Sequence, residues 1–140
     1  MTIKELKEEA YLANLEIPKR NLAIYTWGNV SSFDKEKGFF AIKPSGVSYD
    51  TLQLEDMVVI SLEGEIVEGT LKPSSDTLTH LELYKNFPMI GGICHTHSSY
   101  ATAWAQSMYS VPILGTTHAD HTPYPIPCTR LLTEIEVIKN

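Results

Sequence analysis

The stretch IGGICHTHSSYATAWAQ, residues 90–106, decides how the fold is interpreted. Its first half is apolar and rich in glycine, which is typical of a buried strand. Ser98 and Ser99 stand before an alanine-rich run, which is typical of the start of a helix. His95 and His97 therefore lie where a strand gives way to a helix. Side chains two residues apart on a strand point to the same side of the sheet, so we expect both imidazoles to meet there. Such a pair is half of a metal site, and the alternative is a polar strand end that happens to hold two histidines.

Composition limits the class of protein. The 140 residues are 43% hydrophobic and 20% charged, which predicts a single domain over residues 1–140 with a substantial core. A formal charge of -6 argues against nucleic acid or an anionic membrane as the main partner, although a local basic pocket for phosphate is compatible with it. The chain has no apolar run of membrane-spanning length and no signal-peptide pattern, so we expect it in the cytoplasm. We expect Cys94 and Cys128 to be reduced, with Cys94 in the core.

Helices and strands alternate along the chain. Thr2 and Glu5 form a capping box that opens a helix, which Pro18 closes. A second helix follows Ser74 or Ser75 as its cap, and a polar turn separates the first two strands. Strands are predicted at 22–30, 38–43, 57–62 and 65–68, the last two as a hairpin. This pattern predicts an α/β domain of α+β-like character, with a central mixed, largely antiparallel sheet flanked by helices.

The last residues contain one more helix signal. Thr133 and Glu136 have capping-box spacing, and only about two turns fit before Asn140. A helix this short is marginal without packing. We therefore expect the chain to stop inside a longer protein, and the alternative is a frayed natural terminus.

Three pairs of small polar residues each follow a strand or precede a helix. Small residues allow backbone N–H groups to approach an anion closely, and hydroxyl groups add hydrogen bonds. Lys43 can supply the counter-charge. The pairs are Gly28-Asn29, Ser45-Gly46 and Ser74-Ser75. Together they can bind one phosphate, whereas the alternatives are ordinary turns and a solvated lysine at a strand end.

Other polar residues are candidates for acid–base or metal chemistry. Asp76 can complete a carboxylate-and-histidine site or orient a metal ligand from behind, and the alternative is a helix cap. Asp120 lies in a polar stretch after a glycine, where a general acid or base is plausible. His118 and His121 compete with it as possible metal ligands, and we expect both to be structural or exposed. We assign His80 a surface or packing role.

Three families with His-x-His metal sites do not fit. Cupin-type sites place a glutamate after the pair within a β-barrel, whereas this pair leads into a helix. Metallo-β-lactamase-type sites need His-x-His-x-Asp-His, which residues 98–101 do not provide. Amidohydrolases place the pair near the start of a barrel far longer than this chain.

Several ordered motifs resemble the class II aldolase and epimerase family, and the branch they resemble is that of the L-ribulose-5-phosphate 4-epimerases. The motifs are Asn21–Ser31 (NLAIYTWGNVS), Ile42–Val47 (IKPSGV), Val67–Thr70 (VEGT), Lys72–Asp76 (KPSSD), Gly91-Gly92, His95–His97 (HTH), Gly115–Asp120 (GTTHAD) and Ile126–Arg130 (IPCTR). The resemblance covers nearly the whole chain, and the agreement of several motifs in order is far more specific than any one of them.

The resemblance implies a zinc-dependent isomerase of phosphorylated ketopentoses. Zinc would be held by His95 and His97 with Asp76 at or beside it, and Asp120 matches the catalytic acid/base. Retro-aldol cleavage and re-formation of the C3–C4 bond would interconvert L-ribulose 5-phosphate and D-xylulose 5-phosphate, in arabinose or ascorbate catabolism. The family also implies a homotetramer. The implied phosphate site comprises Gly28, Asn29, Lys43, Ser45, Gly46, Ser74 and Ser75.

The chain also departs from the family pattern. Family members continue with a third zinc-ligating histidine and a catalytic tyrosine that acts across a subunit interface, and neither has a matching position here. We therefore expect the isolated 140-residue chain to bind zinc weakly and to be inactive. The alternatives are a class II sugar-phosphate aldolase of the fuculose- or rhamnulose-phosphate type and a non-catalytic, adducin-like module.

Overall fold

An antiparallel sheet of five strands lies at the centre of the first 97 residues. The computed structural model describes residues 1–138 and divides into two compact units, Met1–His97 and the residues from Ser98 onward. The sheet belongs to the first unit and has the strand order β4-β3-β2-β1-β5. The strands are β1 (Asn29–Asp34), β2 (Phe39–Ile42), β3 (Val58–Ser61), β4 (Ile66–Glu68) and β5 (Gly92–His95). The α/β class with a largely antiparallel sheet is therefore confirmed.

Two helices cover the two faces of this sheet. α1 (Ile3–Lys19) packs on one face, and α2 (Thr77–Asn86) packs on the other. The strands supply both cores because successive side chains alternate between faces. The α1 cluster is Leu6, Ala10, Ala41, Leu52, Met57 and Val59. The α2 cluster is Phe33, Phe40, Ile42, Val58, Ile60, Leu81 and Tyr84.

The start of α1 agrees with the sequence. The Thr2 side chain accepts a hydrogen bond from the Glu5 backbone, and Glu5 accepts one from the Thr2 backbone, so the capping box is confirmed. The helix continues one residue past Pro18, because a proline near the end of a helix removes only one donor.

The prediction of a strand over 22–30 is wrong for most of its length. β1 begins only at Asn29, and the preceding residues form turns. Tyr25 has φ 55° and Gly28 has φ 74°, both in the left-handed region, which an extended strand does not contain. The apolar and aromatic residues that suggested a strand form a loop leading into β1, and this loop carries part of the site described below.

The second unit contains three short helices. They are α3 (Ser99–Gln106), α4 (Thr116–His121) and α5 (Glu134–Ile138). Ser98 precedes α3 and Thr133 forms the expected capping box with Glu136, whereas α4 was not expected. No side chain from 98 to 137 is buried. Within residues 1–138 no helix has the length and apolar character needed to cross a membrane.

Candidate active site

The two histidines of the His-x-His motif lie side by side. His95 is the last residue of β5, and His97 follows two residues later, with the ring centroids 4.9 Å apart. Both side chains are partly exposed. The two imidazoles are therefore close together, as the sequence predicted, although β5 ends at His95 and His97 lies in the segment after it. Cys94, which directly precedes His95, is exposed, so its predicted place in the core is wrong.

Asp76 links the first histidine to the neighbouring strand. Its Oδ2 lies 2.8 Å from His95 Nδ1 and accepts a hydrogen bond of 2.7 Å from Asn29 Nδ2. Burial opposes ionisation of this carboxyl group, but the contacts with His95 and the Asn29 amide outweigh it, so the pKa of Asp76 is lowered. In this geometry Asp76 orients His95, which is one of the two roles considered for it.

Asp76 is also the residue that immediately precedes α2, so the prediction that Ser74 or Ser75 caps this helix is wrong. The carboxylate of Asp76 makes no capping hydrogen bond because it faces His95. The Ser74 hydroxyl accepts from the Asp76 backbone N–H at 3.2 Å, and the Ser74 carbonyl accepts from Thr77. Ser74 therefore fixes the turn before the helix.

A polar cleft of about 330 Å³ opens in front of the histidines. Gly28 is required at its edge, because a Cβ there would lie 2.9 Å from the His95 carbonyl oxygen. All three small polar pairs line this cleft, together with Lys43 and the candidate metal-site residues. The lining is Thr26, Trp27, Gly28, Asn29, Lys43, Pro44, Ser45, Gly46, Ser74, Ser75, Asp76, His95 and His97.

Lys43 is a buried cation in this lining. Only 2% of its surface is exposed, so the alternative of a solvated lysine at a strand end is wrong. Its Nζ lies 3.4 Å from the Pro44 carbonyl oxygen and 4.8 Å from the centre of the Tyr49 ring. Burial disfavours the charged form and lowers the pKa of Lys43. These neutral partners leave its charge uncompensated, which suits a site for an anion.

Known proteins share the sequence pattern and the fold of this chain. The sequence pattern of the family described as Class II Aldolase and Adducin N-terminal domain matches residues 8–139. The chain belongs to this family. The match spans nearly the whole chain, and the family resemblance seen in the motifs is thereby confirmed, whereas closeness to the epimerase branch stays a prediction.

Solved structures of class II aldolase relatives share the fold. An L-fuculose 1-phosphate aldolase is 34% identical, with a TM-score of 0.76 over 81% of this chain and 53% of the relative. YgbL from Klebsiella pneumoniae, a candidate aldolase/epimerase/decarboxylase, is 30% identical, with a TM-score of 0.68 over 80% and 54%. L-fuculose-1-phosphate aldolase from Thermus thermophilus is 27% identical, with a TM-score of 0.73 over 96% and 67%. The chain spans about half the length of the first two relatives.

The histidine pair of this class II aldolase chain fits two positions of a metal site. The hydrogen bond with Asp76 engages Nδ1 of His95, which leaves Nε2 as the nitrogen available to a metal. Metal-binding histidines commonly bond through their other ring nitrogen to a carboxylate in this way. Imidazole is a suitable ligand for zinc. Within residues 1–138 no three His, Cys, Asp or Glu side chains are grouped as a complete ligand set. The pair therefore supplies part of a coordination sphere.

The remaining candidates belong to other elements of the structure. Asp120, His118 and His121 belong to α4 in the second unit, where His118 Nε2 lies 3.0 Å from the Tyr124 carbonyl oxygen. Asp120 is exposed, and its catalytic role stays a prediction. His80 is 1% exposed in the first unit, with Nδ1 2.7 Å from Ser31 Oγ, which agrees with a packing role.

Two residues at or beside the site were not predicted from the sequence. Tyr49 donates its hydroxyl proton to the Gly28 carbonyl at 2.8 Å and also contacts the Trp27 carbonyl, and burial raises the pKa of Tyr49 to about 12. No local pattern marks Tyr49. Trp27 lines the cleft beside His97, and its only signal was its place in the TWGN motif.

Proposed function

We propose that this chain forms the sugar-phosphate and zinc-binding part of an L-ribulose-5-phosphate 4-epimerase. The observation that carries the proposal is the convergence, in one cleft, of a histidine pair oriented by a carboxylate with three pairs of small polar residues and a buried lysine. A phosphorylated ketose has both features that such a cleft recognises, a dianionic end and a carbonyl group. We propose a cytoplasmic homotetramer for the whole protein.

The anion site would hold the phosphate of the substrate. Lys43 supplies a positive charge that burial has stripped of water, and Ser45 and Ser74 supply hydroxyl donors. Gly46 has φ 72°, and no atom lies within 4 Å of the place where a Cβ would stand, so the backbone there is open to the ligand. After C3–C4 cleavage the two-carbon aldehyde fragment carries the phosphate, so this site would retain it while its carbonyl turns.

The histidine pair would act at the other end of the sugar. His95 and His97 would bind zinc, and Asp76 would hold the His95 ring in the required tautomer. Zinc, when bound, supplies a Lewis acid that polarises the ketose carbonyl. The C3–C4 bond would then break and re-form on the opposite face of the aldehyde carbon, which inverts C4. Asp120 is proposed as the acid/base that moves a proton, on the family resemblance alone.

A second candidate is a class II aldolase of the fuculose-phosphate type. The 34% identity to an L-fuculose 1-phosphate aldolase favours it, because both reactions use the same cleavage and differ in whether the fragments recombine or leave. A non-catalytic, adducin-like role is less compatible with a buried, uncompensated lysine beside the oriented histidine pair.

Product analysis separates these functions. Zinc-loaded protein is incubated with L-ribulose 5-phosphate, and in parallel with L-fuculose 1-phosphate, and the products are identified by NMR. D-Xylulose 5-phosphate supports the epimerase, whereas dihydroxyacetone phosphate with an aldehyde supports the aldolase. We expect turnover by the isolated chain to be slow or absent, so zinc binding and sugar-phosphate binding are measured on the same samples.

The variant Asp76→Asn tests the carboxylate, and Asp50→Asn is its control because Asp50 is an exposed aspartate outside the cleft. We expect Asp76→Asn to weaken zinc binding by roughly 10- to 100-fold, as for other partners of metal-binding histidines, and Asp50→Asn to leave it unchanged. A protein that binds neither zinc nor a sugar phosphate would contradict both catalytic proposals.

A further inference from the structure

The loop before β1 brings an aromatic ring against the second histidine. The centroids of Trp27 and His97 are 5.4 Å apart, and their planes are inclined by 38°. Trp27 also meets Tyr25 edge to face, at 5.5 Å and 74°. Trp27 is half exposed and lines the cleft, so its ring forms a wall beside His97.

The two histidines are held in different ways. The His95 ring is fixed by a hydrogen bond between Nδ1 and the Asp76 carboxylate. The His97 ring makes no hydrogen bond to any group in residues 1–138, and its ring contacts are with Trp27 and His95. A metal-binding histidine usually has a hydrogen-bonding partner that sets its orientation. His97 has aromatic packing in that place.

The backbone around Trp27 is itself anchored. The Trp27 N–H donates to the Ile24 carbonyl at 3.1 Å, and the Trp27 carbonyl accepts from the Tyr49 hydroxyl at 3.0 Å. The His97 N–H donates to the Leu22 carbonyl at 3.0 Å. This bond connects the backbone of His97 to the loop that carries Trp27. Both ends of the contact are therefore fixed by hydrogen bonds.

We propose that Trp27 is a positioning residue that orients the His97 imidazole for metal binding by ring packing. The inference rests on the proposed function, because it takes the histidine pair to be a zinc site. Offset and tilted aromatic contacts prefer a limited set of angles, so an indole that is itself held by Tyr25 and by backbone hydrogen bonds restricts the rotation of the imidazole beside it. A freely rotating ring would lose conformational freedom on binding the metal and would bind it less tightly.

The test compares four variants of the full 140-residue chain. Trp27→Leu removes the aromatic face, Trp27→Phe keeps one, and Trp104→Leu is the control, since Trp104 is the other tryptophan and lies in the second unit. His97→Ala reports the loss of the ligand itself. Zn²⁺ affinity is measured by competition with a chromophoric chelator. In the metal-free proteins, NMR measures the ring-current shift of the His97 imidazole protons.

We expect Trp27→Leu to lower Zn²⁺ affinity roughly tenfold or more, the range seen for partners of metal-binding histidines, and to remove the part of the His97 ring-current shift that comes from the indole. Trp27→Phe should retain most of the Zn²⁺ affinity and most of the ring-current shift, and Trp104→Leu should change neither quantity. Wild-type affinity in Trp27→Leu, with clear weakening in His97→Ala, would overturn the positioning role and leave the zinc site standing. Equal affinity in wild type and His97→Ala would overturn the zinc site. An unshifted His97 ring in the wild-type protein would overturn the packing even if Trp27→Leu fails to fold.

Discussion

Asn14 joins helix α1 to strand β1 through three hydrogen bonds, and we predict that Asn14→Ala is strongly destabilising. The side chain is fully buried. Its Nδ2 donates to the Ala10 and Val30 carbonyls, both at 2.7 Å, and its Oδ1 accepts from the Val30 N–H at 2.9 Å. The strand β2 pairs with β1 only from Ser31 onward, so the Asn14 amide satisfies backbone groups that β2 does not reach.

The substitution leaves the Val30 N–H and C=O groups without their partners. Each unsatisfied buried group costs about 1–3 kcal/mol, so we expect the free energy of unfolding to fall by about 3 kcal/mol. For a chain of this size that corresponds to a decrease in Tm of roughly 10 °C. Because Val30 follows Asn29, whose amide binds Asp76, the variant should also weaken Zn²⁺ binding.

Asn86→Ala is the matched control for this prediction. Asn86 is exposed, and its Nδ2 donates to the Glu82 carbonyl at 2.7 Å, which is the same local bond that Asn14 makes to Ala10. Urea unfolding followed by circular dichroism gives both free energies. The difference between the two variants reports the Val30 bonds together with the packing of the buried Asn14 side chain. Equal destabilisation by Asn14→Ala and Asn86→Ala would show that the bridge to β1 contributes nothing and would refute the reasoning.

Three further predictions concern pH, ligand binding and local stability. Burial lowers the pKa of His80 from 6.5 to about 4 in the folded state, so the stability that the neutral His80 side chain contributes is complete above pH 6.5 and is lost as pH falls toward 4. Urea unfolding should show that the free energy of unfolding falls by about 3 kcal/mol over this pH range, and that this loss is missing from His80→Gln. The same pH dependence of the free energy of unfolding in His80→Gln and wild type would contradict this prediction. Lys43→Met should lower affinity for inorganic phosphate about tenfold or more, measured by ³¹P NMR, with the exposed Lys85→Met as a control that should bind normally. Amide hydrogen exchange should be slow in β1 to β3 and fast from 98 to 137, where no side chain is buried. Equal protection of the amides in both regions would contradict this difference in local stability.

Periodicity and local capping chemistry were sufficient to predict most of the elements. The closeness of His95 and His97 was predicted correctly, because the two residues are near in sequence, although the strand ends at His95. The capping boxes at Thr2 and Thr133 were also confirmed, because they depend on residues within one turn. The segment 22–28 was misassigned for the same reason. Its apolar and aromatic residues have strand propensity, but hydrogen bonds to the distant Tyr49 and turns with positive φ decide its conformation.

The site itself depends on contacts between distant parts of the chain. No spacing rule links Asp76 to Asn29 or buries Lys43, so only the family resemblance placed the histidines and the predicted phosphate site in one cleft. The exposure of Cys94 has a related cause. It lies on β5 at the edge of the sheet, whereas its apolar context in the sequence resembles that of a central strand.

The most direct test of the central claim is a zinc-edge anomalous difference map from crystals of this chain grown with Zn²⁺ and inorganic phosphate. We predict an anomalous peak at the imidazoles of His95 and His97, with phosphate density against Lys43, Ser45 and Ser74 in the same cleft. Zinc bound at other side chains, with phosphate outside this cleft, would contradict it.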